Sequence, residues 1–117
     1  MSDKIYLTSI ATNHCELGNR TYKSLDSSLK HIYNNLKALS SEYICDCAFF
    51  DREYVREYFT EEFFSKFNGR MNCKSAYGEF YIEKINNTKY QFVFAPLLIT
   101  DVQNTFIVCE LEILELL

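Results

Sequence analysis

The sequence predicts an α+β fold, a mainly antiparallel sheet with helices packed on one face. Three observations carry that prediction. Apolar residues recur at helical spacing between residues 25 and 39. The period changes to two across residues 75–114. Two of the alternating runs are joined by Asn86-Asn87-Thr88, short enough for a hairpin. The 117 residues fit one domain spanning 1–117. A chain of this size buries roughly two-thirds of its unfolded surface and needs neither metal nor disulfide to fold.

The elements follow in the order β-α-β-α-α-β-β-β. Residues 4–11, KIYLTSIA, are rich in Ile, Tyr and Thr and form a first strand. Thr12 to Lys23 reads as a loop broken by Asn13, Gly18 and Asn19. Ser24 is set to cap a helix, and Leu25, Leu29, Ile32, Tyr33, Leu36 and Leu39 form its apolar stripe. Lys30, His31, Asn34 and Lys37 fall on the opposite, solvated side. Tyr43 to Phe50 alternates as a strand, with Tyr43, Cys45, Cys47 and Phe49 on one face, and Asp51 then caps a helix. A continuous helix over 52–67 would scatter its aromatic residues around the circumference. A break at Thr60 gathers them into two arcs, Tyr54, Val55, Tyr58 and Phe59, then Phe63, Phe64 and Phe67. Thr60 caps the second short helix, Glu61 and Glu62 suit its positive end, and Asn68-Gly69 closes it. Ser75–Ile85 and Lys89–Leu98 form the hairpin, with Pro96 at an edge or a frayed end. After a turn over Thr100–Thr105 comes the last strand, Phe106–Leu114. Its Ile107, Cys109, Leu111 and Ile113 share one face, and Val108, Glu110 and Glu112 share the other.

Composition narrows the setting. Hydrophobic residues make up 48% and charged residues 24%, ordinary values for a globular domain. Five cysteines cannot all pair internally, no secretory signal is visible, and no run of about 18 apolar residues is present. The expected setting is a reducing cytoplasm with free thiols and no membrane. The net charge of −4 is unevenly spread: residues 42–62 hold seven Asp/Glu and two Lys/Arg, and residues 97–117 hold four and none.

Most chemistry finds no support in the spacing. Structural zinc needs four ligands, usually in C-x(2–4)-C or H-x(3–5)-H pairs. Cys45-x-Cys47 in a strand would hold its thiols roughly 7 Å apart, too far to share one ion without a kink. His14-Cys15, Cys73 and Cys109 do not complete a known pattern, and buried free thiols pack as small hydrophobes. Cys15 beside His14 invites a thiol-catalysis reading, but catalytic pairs meet in space and seldom as sequence neighbours. Gly18, Gly69 and Gly78 are isolated, which excludes a P-loop or dinucleotide fingerprint. KSAYGEFYI, Lys74–Ile82, resembles the aromatic core strand of an RNA-recognition domain. Glu79 interrupts that pattern, and the net charge has the wrong sign for phosphates.

What remains is a surface. The acidic block at 42–62 is interleaved with Tyr54, Tyr58, Phe59, Phe63 and Phe64, more rings than a small core can take. Aromatics among carboxylates are what an interface with a basic partner contains. The partner-binding residues expected are Glu53, Tyr54, Glu57, Tyr58, Glu61 and Glu62. In general character (short, acidic, aromatic-rich, without motifs, with an AT-biased composition) the chain resembles phage-encoded anti-defence proteins such as anti-CRISPRs, and toxin-immunity proteins. That resemblance rests on no motif and transfers no residue. The expected function is a non-enzymatic inhibitor that occludes a basic, nucleic-acid-handling protein. No cofactor, metal or direct nucleic-acid contact is expected. The cytoplasm would be that of the host cell if the gene is phage-borne. An immunity protein for a co-encoded toxin belongs to the same physical class. A small zinc- or thiol-dependent enzyme centred on His14, Cys15, Cys45 and Cys47 is the expectation from another class.

Overall fold

The computed structural model describes residues 3–12, 16–43, 49–75, 78–96 and 106–116. Six strands form a sheet in the order β2-β1-β6-β5-β4-β3. They are β1 (Asp3–Thr12), β2 (Glu16–Tyr22), β3 (Arg70–Ser75), β4 (Gly78–Lys84), β5 (Lys89–Pro96) and β6 (Ile107–Leu116). Every pairing between them is antiparallel. Between β2 and β3 the chain is helical: α1 (Leu25–Tyr43), a 3-10 turn (Phe49–Asp51), α2 (Glu53–Glu57) and α3 (Glu61–Lys66). This segment carries the chain from one edge of the sheet to the other.

The class is therefore α+β, but the expected order is corrected in three places. Residues 16–22, expected as loop, form β2. The strand expected over Tyr43–Phe50 is not seen at either end: Tyr43 lies in α1, and Phe49–Asp51 is a 3-10 turn. Cys45 and Cys47 lie outside the described residues. The expected strand Ser75–Ile85 is two strands, with Ser75 closing β3 and Gly78 opening β4.

Register explains the core. Thr8 and Ile10 of β1 face Leu111 and Cys109 of β6, which face Tyr90 and Phe92 of β5. Phe92 and Phe94 of β5 face Ile82 and Phe80 of β4, which face Met71 and Cys73 of β3. This parity of the sheet joins Leu29, Ile32, Leu36, Phe50, Val55, Phe59 and Phe64 in one hydrophobic cluster. Fully burying a large side chain contributes about 1.5–3 kcal/mol, so this cluster dominates the stability. Phe50 meets Phe94 edge-on at 5.0 Å and Phe80 at 5.7 Å, and Phe64 meets Tyr90 at 4.2 Å. Such pairs add about 0.5–1.5 kcal/mol beyond area burial. The other parity carries Glu79, Tyr81 and Glu83 of β4, Lys89 and Val93 of β5, and Glu110 and Glu112 of β6.

Local chemistry sets the element ends. Ser24 Oγ accepts from the Ser27 N–H at 3.1 Å and starts α1. The Asn86 side chain accepts from the Thr88 N–H at 2.9 Å, which folds the β4–β5 turn. Asp51 does not cap α2. The N-cap position is Arg52, whose side chain makes no capping bond to α2, and the Asp51 carboxylate instead pairs with Lys37 of α1 at 2.6 Å. His31, expected in solvent, is half-buried because β2 brings Tyr22 to 5.3 Å from its ring. Burial, and then the Arg20 charge, hold its pKa below the ordinary histidine value. Among the described residues no helix is long and apolar enough to cross a membrane.

Candidate functional site

The break at Thr60 divides the aromatic residues of the acidic block between two tasks. Thr60 is the N-cap of α3: its Oγ1 accepts from the Phe63 N–H at 3.2 Å and donates to the Glu57 carbonyl at 2.8 Å. That link sets α3 at a new angle after α2, so Val55, Phe59 and Phe64 all reach the core. The Tyr33 hydroxyl donates to the Phe50 carbonyl and ties the same segment to α1.

Four further rings of this segment stay partly exposed at the border of the core. Tyr54 is 41% exposed, and Tyr58, Phe63 and Phe67 are half-buried. They form a continuous ladder, with centroid separations of 6.4 Å for Tyr54–Tyr58, 5.1 Å for Tyr58–Phe63 and 5.6 Å for Phe63–Phe67. The Tyr58 hydroxyl titrates above the ordinary tyrosine value, first from partial burial and then from Cys73, Tyr54 and Glu57 around it. The ladder therefore reaches β3, where Cys73 and Met71 are half-buried on the core side of the sheet.

The carboxylates do not all behave alike. Glu53 and Glu57 are exposed one turn apart on α2, so they share a side of that helix. Glu57 and Glu62 line an open concavity of about 720 Å³ between α3 and β3, floored by Phe63, Phe67 and Met71 and rimmed by Lys66 and Arg70. Glu62 and Lys66 approach at 3.8 Å, an exposed pair of little energetic weight. Glu61 was expected to point outward with the others. Instead its Oε1 accepts from the Asp26 N–H of α1 at 3.1 Å. Asp26 lies in the first turn of α1, whose N–H groups have no intrahelical partner. Glu61 is thus a structural acceptor that joins α3 to α1, and its charge also suits the positive end of α1.

Of the six expected residues, Tyr54 and Tyr58 belong to the ladder and Glu53, Glu57 and Glu62 border it, while Glu61 is turned away. Phe63, named among the rings of the acidic block but not among the six, completes the surface with Phe67 and Met71, which were not expected there. The signal that separates Phe63 from Phe64 is helical phase. In α3, Phe64 occupies the arc facing Tyr90 and Phe92, and Phe63 lies one position off it.

Other chemistry is sparse. Cys109 is buried and its thiol is pushed up to about 12, so it stays protonated and inert. Among the described residues no group of three or more His, Cys, Asp or Glu could hold a metal ion. His14, Cys15, Cys45 and Cys47 lie outside the described residues. On the far face of the sheet, Glu110 pairs with Lys89 at 3.2 Å, and Glu112 lies opposite Lys89 in the strand register. That acidic pair is therefore partly neutralised, whereas among the described residues no salt bridge reaches Glu53 or Glu57. Comparison with protein-family models, with curated proteins and with solved structures finds no match.

Proposed function

We propose that the protein is a non-enzymatic inhibitor that covers a basic face of another protein with its α2–α3 surface. The observation that carries this reading is the partly exposed ladder Tyr54–Tyr58–Phe63–Phe67 running beside Glu53, Glu57 and Glu62. Tyr58, Phe63 and Phe67 pack against the core on one side and keep the rest of each ring in solvent, and Tyr54 is more exposed still. Aromatic side chains bring large apolar area at low entropic cost and concentrate at interface hot spots. Carboxylates at their border favour lysines and arginines on the partner and speed the encounter. A protein whose basic face handles nucleic acid fits this chemistry, because it already presents cations to phosphates. Inhibition then needs only occlusion.

The test is capture from a lysate of the cell that expresses the gene. Wild type is compared with the triple variant Glu53→Lys/Glu57→Lys/Glu62→Lys and with Glu110→Lys/Glu112→Lys as a control. A partner that binds wild type and the control, is lost with the triple variant, and loses its own activity at stoichiometric wild type supports the proposal. A partner lost only with the strand variant would move the interface to the far face of the sheet. Capture insensitive to both sets would remove the electrostatic basis of the reading.

A further inference from the structure

The edge of the sheet opposite β3 is β2, and a second concavity lies there, between β2 and α1. It measures about 310 Å³, and Ile10, Leu17, Gly18, Arg20, His31 and Asn35 are among the residues that line it. That volume is at the lower end of what small-molecule sites enclose. A slip in the strand register builds it. Ile10 faces Gly18 and Ala11 faces Glu16, so Leu17 is the extra residue of a β-bulge. A bulge bends its strand and re-aims a side chain. Gly18, with φ 142°, takes a backbone conformation that residues with a Cβ rarely adopt, and a Cβ there would meet nothing within 4 Å. The space beside the bulge is therefore open. Leu17, 49% exposed, and the buried Ile10 give it apolar walls.

Its charge has one sign. Among the described residues Arg20 is the only charged residue that lines it, whereas the α3–β3 concavity mixes Glu57 and Glu62 with Lys66 and Arg70. Among the described residues no salt bridge reaches Arg20. The Thr8 hydroxyl donates to the Arg20 carbonyl at 3.2 Å and fixes that part of β2 on β1. His31 supplies a second donor. Asn35 Nδ2 donates to the His31 carbonyl at 2.8 Å and lies 3.2 Å from the ring Nδ1, against 3.4 Å from Nε2. An amide nitrogen can only donate, so the nearer Nδ1 accepts and the neutral ring carries its proton on Nε2. Burial and the Arg20 charge keep the ring neutral to a lower pH than an ordinary histidine.

We propose that the concavity between β2 and α1 binds a small organic anion, a carboxylate with a short aliphatic body. The planar guanidinium of Arg20 matches a carboxylate with two parallel N–H bonds, and such charge-assisted bonds are the strong ones. The His31 Nε2–H adds a neutral donor on the α1 side. Leu17 and Ile10 take up the aliphatic part. A bare inorganic anion would leave those two walls unused, and a neutral or cationic ligand would leave the Arg20 charge without a partner. The site stands at the other edge of the sheet from the α2–α3 surface and does not depend on the inhibitor reading.

The probe is hexanoate titrated into the full chain and followed by calorimetry and by the ring resonances of His31. Hexanamide keeps the aliphatic body without the charge, and inorganic phosphate keeps the charge without the body. Saturable binding of hexanoate with a shift at His31 is expected, and hexanamide and phosphate should each bind about tenfold more weakly or worse. Arg20→Gln should weaken hexanoate binding about tenfold or more, and Leu17→Ser should weaken it as well. Both positions are exposed, so the melting curves should stay near that of wild type. Glu53→Lys/Glu57→Lys/Glu62→Lys should bind hexanoate as wild type does, which separates this site from the α2–α3 surface. Any of four results overturns the proposal: no saturable shift at His31, binding indifferent to Arg20→Gln, hexanamide or phosphate bound as well as hexanoate, or binding abolished by the triple carboxylate variant.

Discussion

Thr60→Ala tests the joint on which the surface depends. The substitution deletes an acceptor for the Phe63 N–H (3.2 Å) and a donor to the Glu57 carbonyl (2.8 Å). Lost N-caps cost about 0.5–2 kcal/mol. Thr60 is exposed, so water replaces part of what is lost, and a net intramolecular bond contributes about 0.5–1.5 kcal/mol. The expected cost is therefore about 1 kcal/mol, which lowers the melting temperature by roughly 3–6 °C in a chain of this length. Urea denaturation followed by circular dichroism measures it, and the m-value should not change, because the same surface is buried. Thr60→Ser keeps both bonds and should stay within about 0.5 kcal/mol of wild type. If Ala matches wild type, or if Ser is as costly as Ala, the hydroxyl does not hold α2 and α3 apart and the joint has been misread.

Three further outcomes follow from individual contacts. Glu61→Lys should destabilise the fold more than Glu57→Lys or Glu62→Lys, because only Glu61 accepts from the first turn of α1; equal melting curves for all three would contradict that role. In native protein at pH 8, residue-resolved alkylation should leave Cys109 unmodified and label it only after unfolding, since its thiol is buried and pushed up to about 12. The lowered pKa of His31 makes the neutral ring the better fit in the folded state. Its contribution to stability is therefore fully present above the unfolded value and is lost as pH falls through the folded one. His31→Gln should flatten the stability profile between pH 7 and pH 5, and an unchanged slope would show that another group sets it.

Elements with a buried face were legible in the sequence. The stripe from Leu25 to Leu39, the run Phe106–Leu114 and the break at Thr60 each reflect a side that meets the core. Both edge strands were missed as such for one physical reason. Residues 16–21 of β2 are exposed on both faces, so no apolar alternation marks them, and Gly18 with a positive φ looks like a loop signal. In β3, RMNCKS is charged and polar apart from Met71 and Cys73, which an edge tolerates and a central strand would not. At the two ends of the strand expected over Tyr43–Phe50, alternation alone did not distinguish the last residue of a helix or a 3-10 turn from a strand, and residues 44–48 lie outside the described residues. At the site, the acidic and aromatic pattern marked α2 and α3. Glu61 was misplaced because its partner N–H lies 35 residues away, and Phe67 and Met71 were missed because only the fold brings β3 beside α3.

The association rate of the captured partner, followed by biolayer interferometry at about 20 and about 300 mM salt, reaches the central proposal most directly. Charge complementarity acts mainly on the encounter, and single exposed acid-to-lysine changes usually alter folding by about 0.5 kcal/mol or less. Glu53→Lys/Glu57→Lys/Glu62→Lys should therefore stay folded, with a melting temperature lowered only modestly by the lost first-turn charges of Glu53 and Glu62, yet associate at least about tenfold more slowly at low salt, with the difference shrinking at high salt. Equal rates at both salt concentrations, with folding intact, would contradict an acidic, aromatic surface that docks on a basic protein.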